Sequence, residues 1–428
     1  MNNAGAHRTR RPMMILAASV GAGLVLAGCS TNASNDTDSE AGGEQRTLSI
    51  IASGSQQTAL DTLIGEFEEL HPDVSINISY APNQELQTSV RTQLAGGNAP
   101  DIVGVYPGNG SAMSMVQLSD AGMLEDLSEQ EWTETIPDGF RSAFENKDGV
   151  YVFSPGASVL GVVYNKEIFA QNGLEVPTTL TDFEAAAETL QSAGVTPMAL
   201  GTNTPWITQL VPYALVPGMV YADEPEFAAE MIDGDTTFAE SGWLDAMGTY
   251  ADWQARGFFN DNANGTTGDQ MVQMLGDGSA AMAVMVSSTL GGYGDVLGEN
   301  LGYFPLPSTD DAERNWIPGG TVVGLGVTTQ AEDPELAKEF IAFLGEQENL
   351  VEMASLMNSV PFATSDELNP LLAPFVAYFD EGRTVPFPDQ TWPNAEIQPT
   401  MFAAIQEMLG GQTTPEGALA QMDEAFQQ

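Results

Sequence analysis

The chain runs to 428 residues with 59 acidic against 12 basic side chains, a formal net charge of −47. A surface that negative repels polyanions, so nucleic acid, anionic lipid faces and phosphate-bearing ligands are excluded as expected partners. The length exceeds what one small core needs and predicts two domains, while a single cysteine, Cys29, rules out an internal disulfide framework. The acids are spread through the chain with no calcium-loop spacing, the pattern of a solvated surface suited to high salt.

Arg8, Arg10 and Arg11 precede an apolar run over residues 13–27, the layout of a secretory signal peptide. The run closes in Leu26-Ala27-Gly28-Cys29. This small-residue triplet ending in a lone cysteine resembles the lipobox of bacterial lipoproteins. The resemblance implies cleavage before Cys29 and acylation of its sulfur, with residues 1–28 as the signal peptide. Residues 29–45 are rich in Ser, Thr, Asn, Asp, Glu and Gly and read as a flexible tether. No later apolar run is long enough to span a bilayer.

The body opens with Thr47-Leu48-Ser49-Ile50-Ile51-Ala52, a β-rich run, then a polar loop over residues 53–57. Leu60, Leu63, Ile64, Phe67 and Leu70 follow at helical spacing and stop at His71-Pro72. Residues 74–78 alternate as a strand, residues 86–94 read as a helix ending at Gly96-Gly97, and residues 101–105 form a third strand. That β-α-β-α-β order predicts a parallel sheet flanked by helices. A second α/β run begins near Ser158. It has strands at 159–164, 198–200, 280–286 and 301–304, and a helix at 180–192 that Thr181 or Asp182 is placed to cap. Further helices are expected at 211–217, 226–232, 242–256 and 269–275. One strand over 321–328 returns toward the first run. A helix at 334–344 has Pro334 in its first turn, and helices at 371–379, 399–409 and 415–426 close the chain.

Ligands of open α/β sheets bind beyond the carboxyl ends of strands. This singles out Ser53, Ser55 and Gln56 after the first strand, and Tyr106, Gly108 and Asn109 after the third. Trp206 follows Asn203-Thr204-Pro205 in a polar loop with few core neighbours in sequence, so it is expected to stack on a ligand. Gly319-Gly320 allow close backbone approach.

Several stretches resemble the extracellular solute-binding proteins of sugar ABC importers, the maltose-binding-like group. Ala95-Gly96-Gly97-Asn98-Ala99-Pro100-Asp101-Ile102 looks like that family's turn into its third strand. Residues 118–127, with Gly122 and Leu124, look like its Gly-x-Leu-x-x-Leu segment. Tyr164-Asn165-Lys166-Glu167-Ile168-Phe169, then Gly173-Leu174 and Pro177-Thr178-Thr179, carry its most specific signature, with Thr179 where the family usually has Trp. Gly276-Asp277-Gly278-Ser279-Ala280-Ala281-Met282 and residues 337–344 complete the set. The resemblance implies an α/β, two-lobed periplasmic-binding-protein-like fold of type II, each lobe a mixed sheet flanked by helices, joined by a hinge. One lobe would hold residues 46–157 and 318–362, the other 158–317 and 363–428. It also implies ligand contact by Ser158 at the first crossing, by Ser287 and Ser288 after the Ala-Met strand, and by Trp392. Trp132, Trp243 and Trp253 sit in helical patterns and read as packing.

An enzyme is the rival class. His7 lies in the signal peptide and His71 caps a helix, so a Ser-His-Asp triad or a multi-His zinc site is not expected. A carboxylate pair would leave a glycosidase open, and a surface adhesin is a third class. The expectation is a lipid-anchored binding subunit, a monomer without cofactor or metal. It would capture a neutral mono- or oligosaccharide, or another uncharged solute such as a polyol, and pass it to an ABC permease at the outer face of the cytoplasmic membrane.

Overall fold

The computed structural model describes residues 45–427 except 112, 148, 364, 366 and 367. Cys29, the signal peptide and nearly all of the tether lie outside the described residues. In chain order the strands are β1 (Arg46–Ser53), β2 (Val74–Ala81), β3 (Ile102–Val105), the hairpin β4 (Glu145–Asn146) and β5 (Gly149–Val150), then β6 (Gly156–Asn165). β7 (Thr196–Met198), β8 (Ala280–Val286), β9 (Leu301–Phe304), β10 (Ile317–Gly320), β11 (Gly324–Val327), β12 (Val360–Pro361) and β13 (Thr384–Val385) follow.

Two main sheets result, one in each α/β run. The first has the order β11-β3-β1-β2. β1 and β2 are parallel from Arg46↔Val74 to Ser53↔Ala81, and β3 is parallel to β1, as the β-α-β-α-β order predicts. The helix Gln57–Leu70 buries Leu60, Leu63, Ile64 and Phe67 on this sheet. Each such side chain contributes roughly 1.5–3 kcal/mol. His71 ends the helix as its C-cap and stacks on Phe67 at 4.2 Å, a capping and packing role.

The second sheet runs β13-β10-β6-β8-β7, with β9 and β12 also on β6. β6 is its spine. All ten of its residues except Tyr164 are buried, which is why it reads as a continuous apolar run with no alternation. β8 is buried throughout for the same reason.

The two sheets have separate cores. Leu48, Phe67, Val103, Phe153, Ala157, Leu325 and Phe340 belong to one, and Val159, Phe183, Trp253, Met282, Ile317 and Ile405 to the other. The chain passes between them at three places: within β6, between β10 and β11, and beside β12, which pairs with the start of β6 as Val360↔Ala157. Val322 and Phe379 touch both cores.

Two local expectations need correction. The strand expected over 321–328 is the shorter β11, Gly324–Val327, which pairs with β3 in the first sheet, and the preceding β10, Ile317–Gly320, which pairs with β6, was not expected. The chain changes sheets at residues 321–323, so the ladder with β3 starts only at Gly324. The helix Leu180–Ser192 is capped by Thr179, whose Oγ1 accepts from the Asp182 N–H at 3.1 Å. Thr179 has the extended backbone a cap requires, whereas Thr181 lies inside the helix and donates to Asp310.

Candidate functional site

The seam between the two cores gathers most of the residues singled out from sequence. On the first-lobe side, the loop after β1 is a 3₁₀ turn, Gly54–Gln56, closed by a capping box between Ser53 and Gln56. Ser53 and Gln56 are each 1% exposed. Ser53 Oγ donates to Asn83 Oδ1 at 2.7 Å, and Gln56 Nε2 donates to the Val323 carbonyl at 3.2 Å. Gln56 therefore ties this loop to the crossing segment. Ser55 is the exposed member of the trio, with its Oγ 2.9 Å from Ser53 Oγ. Tyr106 is half-buried; its hydroxyl donates to the Asn83 carbonyl at 3.3 Å, and burial pushes its pKa up to about 12.

The loop after β3 docks on the other half of the chain. Asn109 Nδ2 donates to the Pro393 carbonyl at 2.7 Å, and its backbone N–H donates to the Gln390 carbonyl at 3.4 Å. Gly108, at φ +70°, and Gly110 make this approach possible: a Cβ on either would collide with the backbone carbonyls of Gln390 and Asp389. Asn109 is thus committed to a contact between the lobes.

On the second-lobe side, Ser158 lies 3.4 Å from Ser359, Oγ to Oγ, and is 4% exposed. Ser287 Oγ accepts from the Val159 N–H at 3.1 Å and is fully buried. The Ser158 hydroxyl ties β6 to the residue before β12, and the Ser287 hydroxyl fixes the turn after β8 to β6. Ser288 remains partly exposed. Gly319 and Gly320 are buried in β10 opposite Val159 and Ser158, and a Cβ on Gly320 would press on the Gln390 side chain. Trp206 lies on the 3₁₀ turn Pro205–Gln209, half-buried and packed partly on the second core.

Trp392 is where expectation and structure part. It is 2% exposed and packs edge-on against Tyr213 at 6.2 Å and Phe238 at 5.8 Å, with Trp243 at 6.5 Å. Its Pro-flanked polar sequence concealed this aromatic neighbourhood, which is assembled from three distant segments. In this conformation it offers no face for stacking.

What the sequence reading missed stands next to it. Asp389 and Gln390 lie on the 3₁₀ turn Pro388–Thr391. Gln390 Nε2 donates to the Thr321 carbonyl at 2.8 Å, while its buried Oε1 has no partner in the protein. Protein atoms crowd the Asp389 carboxyl and strip its hydration, which pushes its pKa up to about 6. The residue as a whole nevertheless keeps partial solvent contact. Tyr213 and Tyr221 flank it, and burial raises the pKa of both. The Tyr213 hydroxyl sits close enough to stabilise the carboxylate but meets no hydrogen-bond geometry. Among 59 acids nothing in the sequence set Asp389 apart except the Pro that starts its turn.

Elsewhere, a groove of about 640 Å³ is lined by Tyr164, Lys166, Phe304, Pro374, Tyr378 and Arg383. It lies toward the far end of β6, six residues beyond Ser158 and so about 20 Å along the strand, and holds none of the residues above. Among the described residues, no group of three His, Cys, Asp or Glu side chains is placed to hold a metal.

The seam is therefore polar, rich in acceptors and suited to binding an uncharged, hydroxyl-bearing solute. The comparisons agree with a binding role. The family described as "Bacterial extracellular solute-binding protein" matches residues 52–350. The Melibiose/raffinose/stachyose-binding protein MelE of Bacillus subtilis (strain 168) is 23% identical over 381 residues, covering 86% of this chain and 85% of that protein. A solved chitin oligosaccharide binding protein superposes with a TM-score of 0.75 at 22% identity, covering 90% of this chain and 99% of the other. RafE in complex with raffinose gives a TM-score of 0.75 at 18% identity, covering 89% and 98%. At these identities the solved structures establish the fold, the two-lobed α/β architecture of the type II periplasmic binding proteins. With a match across most of the chain, the protein belongs to the bacterial extracellular solute-binding family, a family of binding proteins and not of enzymes.

Proposed function

We propose that this chain is the sugar-capturing subunit of an ABC importer, anchored by lipid on Cys29 to the outer face of the cytoplasmic membrane. The observation that supports the reading is the set of polar contacts where the two cores meet, Ser53 to Asn83, Asn109 to the Pro393 carbonyl and Gln390 to the Thr321 carbonyl. No lysine or arginine takes part in the polar contacts described there. Such a lining favours hydroxyl donors and disfavours phosphate esters. Relatives named for melibiose, raffinose and stachyose, and a fold neighbour named for chitin oligosaccharides, support an oligosaccharide over a polyol.

In this reading residues 46–157 with 318–362 form one lobe and residues 158–317 with 363–428 the other. The crossing strands form the hinge, and sugar binding shifts the population toward closure. Trp206, half-buried on its 3₁₀ turn, is the stacking residue. The monomer is the working form, and the partners are the membrane permease subunits.

A thermal-shift screen of residues 45–428 against melibiose, raffinose, stachyose, chito-oligosaccharides, polyols and glycerol phosphate tests the reading. A ligand at 100 times its Kd stabilises the fold by about 2.7 kcal/mol. An upward shift with an oligosaccharide alone is expected; a response confined to glycerol phosphate overturns the sugar assignment. Mass spectrometry of membrane-derived protein tests the anchor, since absence of acyl groups on Cys29 refutes it.

A further inference from the structure

The groove at the far end of β6 takes no part in the seam, yet it collects Tyr164 and Lys166 of the Tyr164-Asn165-Lys166 motif. Asn165 has a structural task there. Its side chain caps the helix Lys166–Gln171 by accepting from the Glu167 and Ile168 N–H groups. Tyr164 packs on Phe169 and Phe304, and Gly302 leaves room for its ring, since a Cβ there would collide with it. Lys166 has no such task. It stands exposed at the first position of its helix, where the backbone dipole disfavours a cation. Among the described residues, every lysine and arginine except Lys166 and Arg91 makes an ion pair.

The walls around this lysine are apolar and free of acid. Tyr164, Phe304 and Tyr378 supply aromatic rings, with Pro177, Pro305 and Pro374 between them. In a chain with 59 acidic side chains, not one residue lining the groove is Asp or Glu. Glu175 lines the adjoining smaller recess together with Lys166 but forms no ion pair with it. Val176, one of four exposed large apolar side chains among the described residues, also lines the groove. Arg383 is already committed: its guanidinium stacks over Tyr378 at 4.5 Å, bonds Glu381 and donates to the Ala312 and Asn315 carbonyls. The one uncompensated charge of the groove is therefore the ammonium of Lys166.

From this arrangement we infer that the groove is a second ligand site, separate from the seam, for a small aromatic carboxylate. Its volume of about 640 Å³ is that of a small-molecule pocket. Aromatic and proline side chains pack on a planar apolar ring. A ligand that covers them also takes water from Lys166. A neutral ligand leaves that ammonium desolvated without compensation, whereas a carboxylate replaces the lost water with a charge-assisted hydrogen bond. A phosphate ester brings a second charge for which the groove holds no free cation, and the field of the acidic chain repels it. The inference does not rest on the sugar-binding reading.

The test is calorimetric titration of the protein at low ionic strength, where an ion pair is least screened. The probes are phenylacetate, naphthylacetate and the neutral amides of both acids. The wild type is expected to bind at least one carboxylate about tenfold or more tighter than its amide, the scale of one charge-assisted hydrogen bond. Lys166→Gln is expected to abolish that preference and keep the affinity for the amide. Val176→Glu, which sets an acid in the groove, is expected to weaken the carboxylate about tenfold and leave the amide nearly unchanged. If neither carboxylate binds, or acid and amide bind alike, the inference is overturned. A preference for the carboxylate that survives Lys166→Gln places the ligand elsewhere and overturns it too. Should that variant fail to fold, a carboxylate affinity unmoved by Val176→Glu does the same. Each of these failures leaves the sugar reading standing, because neither Lys166 nor Val176 takes part in the contacts of the seam.

Discussion

Asp389→Asn tests the electrostatics of the seam without any ligand. The Asp389 carboxyl titrates near 6 in the folded protein against 3.8 ordinarily, because burial disfavours its charged form. The folded state therefore holds a proton that the unfolded chain has already released between those two values. Stability falls as pH rises wherever the native state binds more protons. The contribution is absent below about pH 4, grows through the window from 4 to 6, and is complete above it. The difference between those two values corresponds to roughly 3 kcal/mol, discounted for the partial exposure of the residue. Asparagine has nearly the same shape and carries no charge to desolvate. The variant should therefore be no more stable than wild type at pH 4, and more stable at pH 7.5 by up to about 3 kcal/mol. Parallel melting curves at pH 4, 5, 6 and 7.5 measure this, and the informative quantity is the widening gap between the two proteins. A gap that is constant across the range refutes a strained, ionisable carboxyl at this position.

Trp392→Ala should destabilise the body by about 3–5 kcal/mol in urea titration, as expected for an aromatic side chain deleted from a packed core; a loss under about 1 kcal/mol would return it to the exposed, ligand-stacking role. Gly108→Ala and Gly110→Ala should each cost at least about 1–3 kcal/mol, because the new methyl meets backbone carbonyls that cannot rotate aside; a neutral effect means that the 108–110 loop does not dock on residues 389–393. Thr179→Ala should cost about 1 kcal/mol through the lost cap, whereas Thr181→Ala should leave the cap intact, and equal costs would contradict the assignment of Thr179 as cap.

The ion pairs illustrate how this acidic chain manages few cations. Arg256 serves Glu184, Glu188 and Asp252 at once, and Arg46 bridges Asp333 to the neighbourhood of Glu339. These pairs are partly exposed and individually worth little. They place the scarce cations among carboxylates whose mutual repulsion is otherwise relieved only by screening.

Hydrophobic period and punctuation determined the order of most of the longer elements in this chain, but not the helix Gln347–Leu356 or the short strands β4, β5, β10, β12 and β13. Leu60, Leu63, Ile64 and Phe67 at helical spacing specify one buried face, and continuous runs such as residues 159–164 and 280–286 specify strands covered on both sides, so the α/β class follows from local pattern alone. The loops after β1 and β3 were likewise legible as the ends of parallel strands. Tertiary structure decided what those loops do. Ser53, Gln56, Ser158 and Ser287 have small polar side chains whose meaning depends on the neighbour that reaches them, and those neighbours come from elsewhere in the chain: Asn83, Val323, Ser359 and Val159. Trp392 looked exposed because its sequence neighbours are polar, but burial is set by Tyr213, Phe238 and Trp243, which lie far from it in sequence. Asp389 is the clearest case. Its charge is written in the sequence, but its desolvation arises only when the second lobe folds around it, because the energy of a buried carboxyl is a property of the surrounding medium and not of the residue.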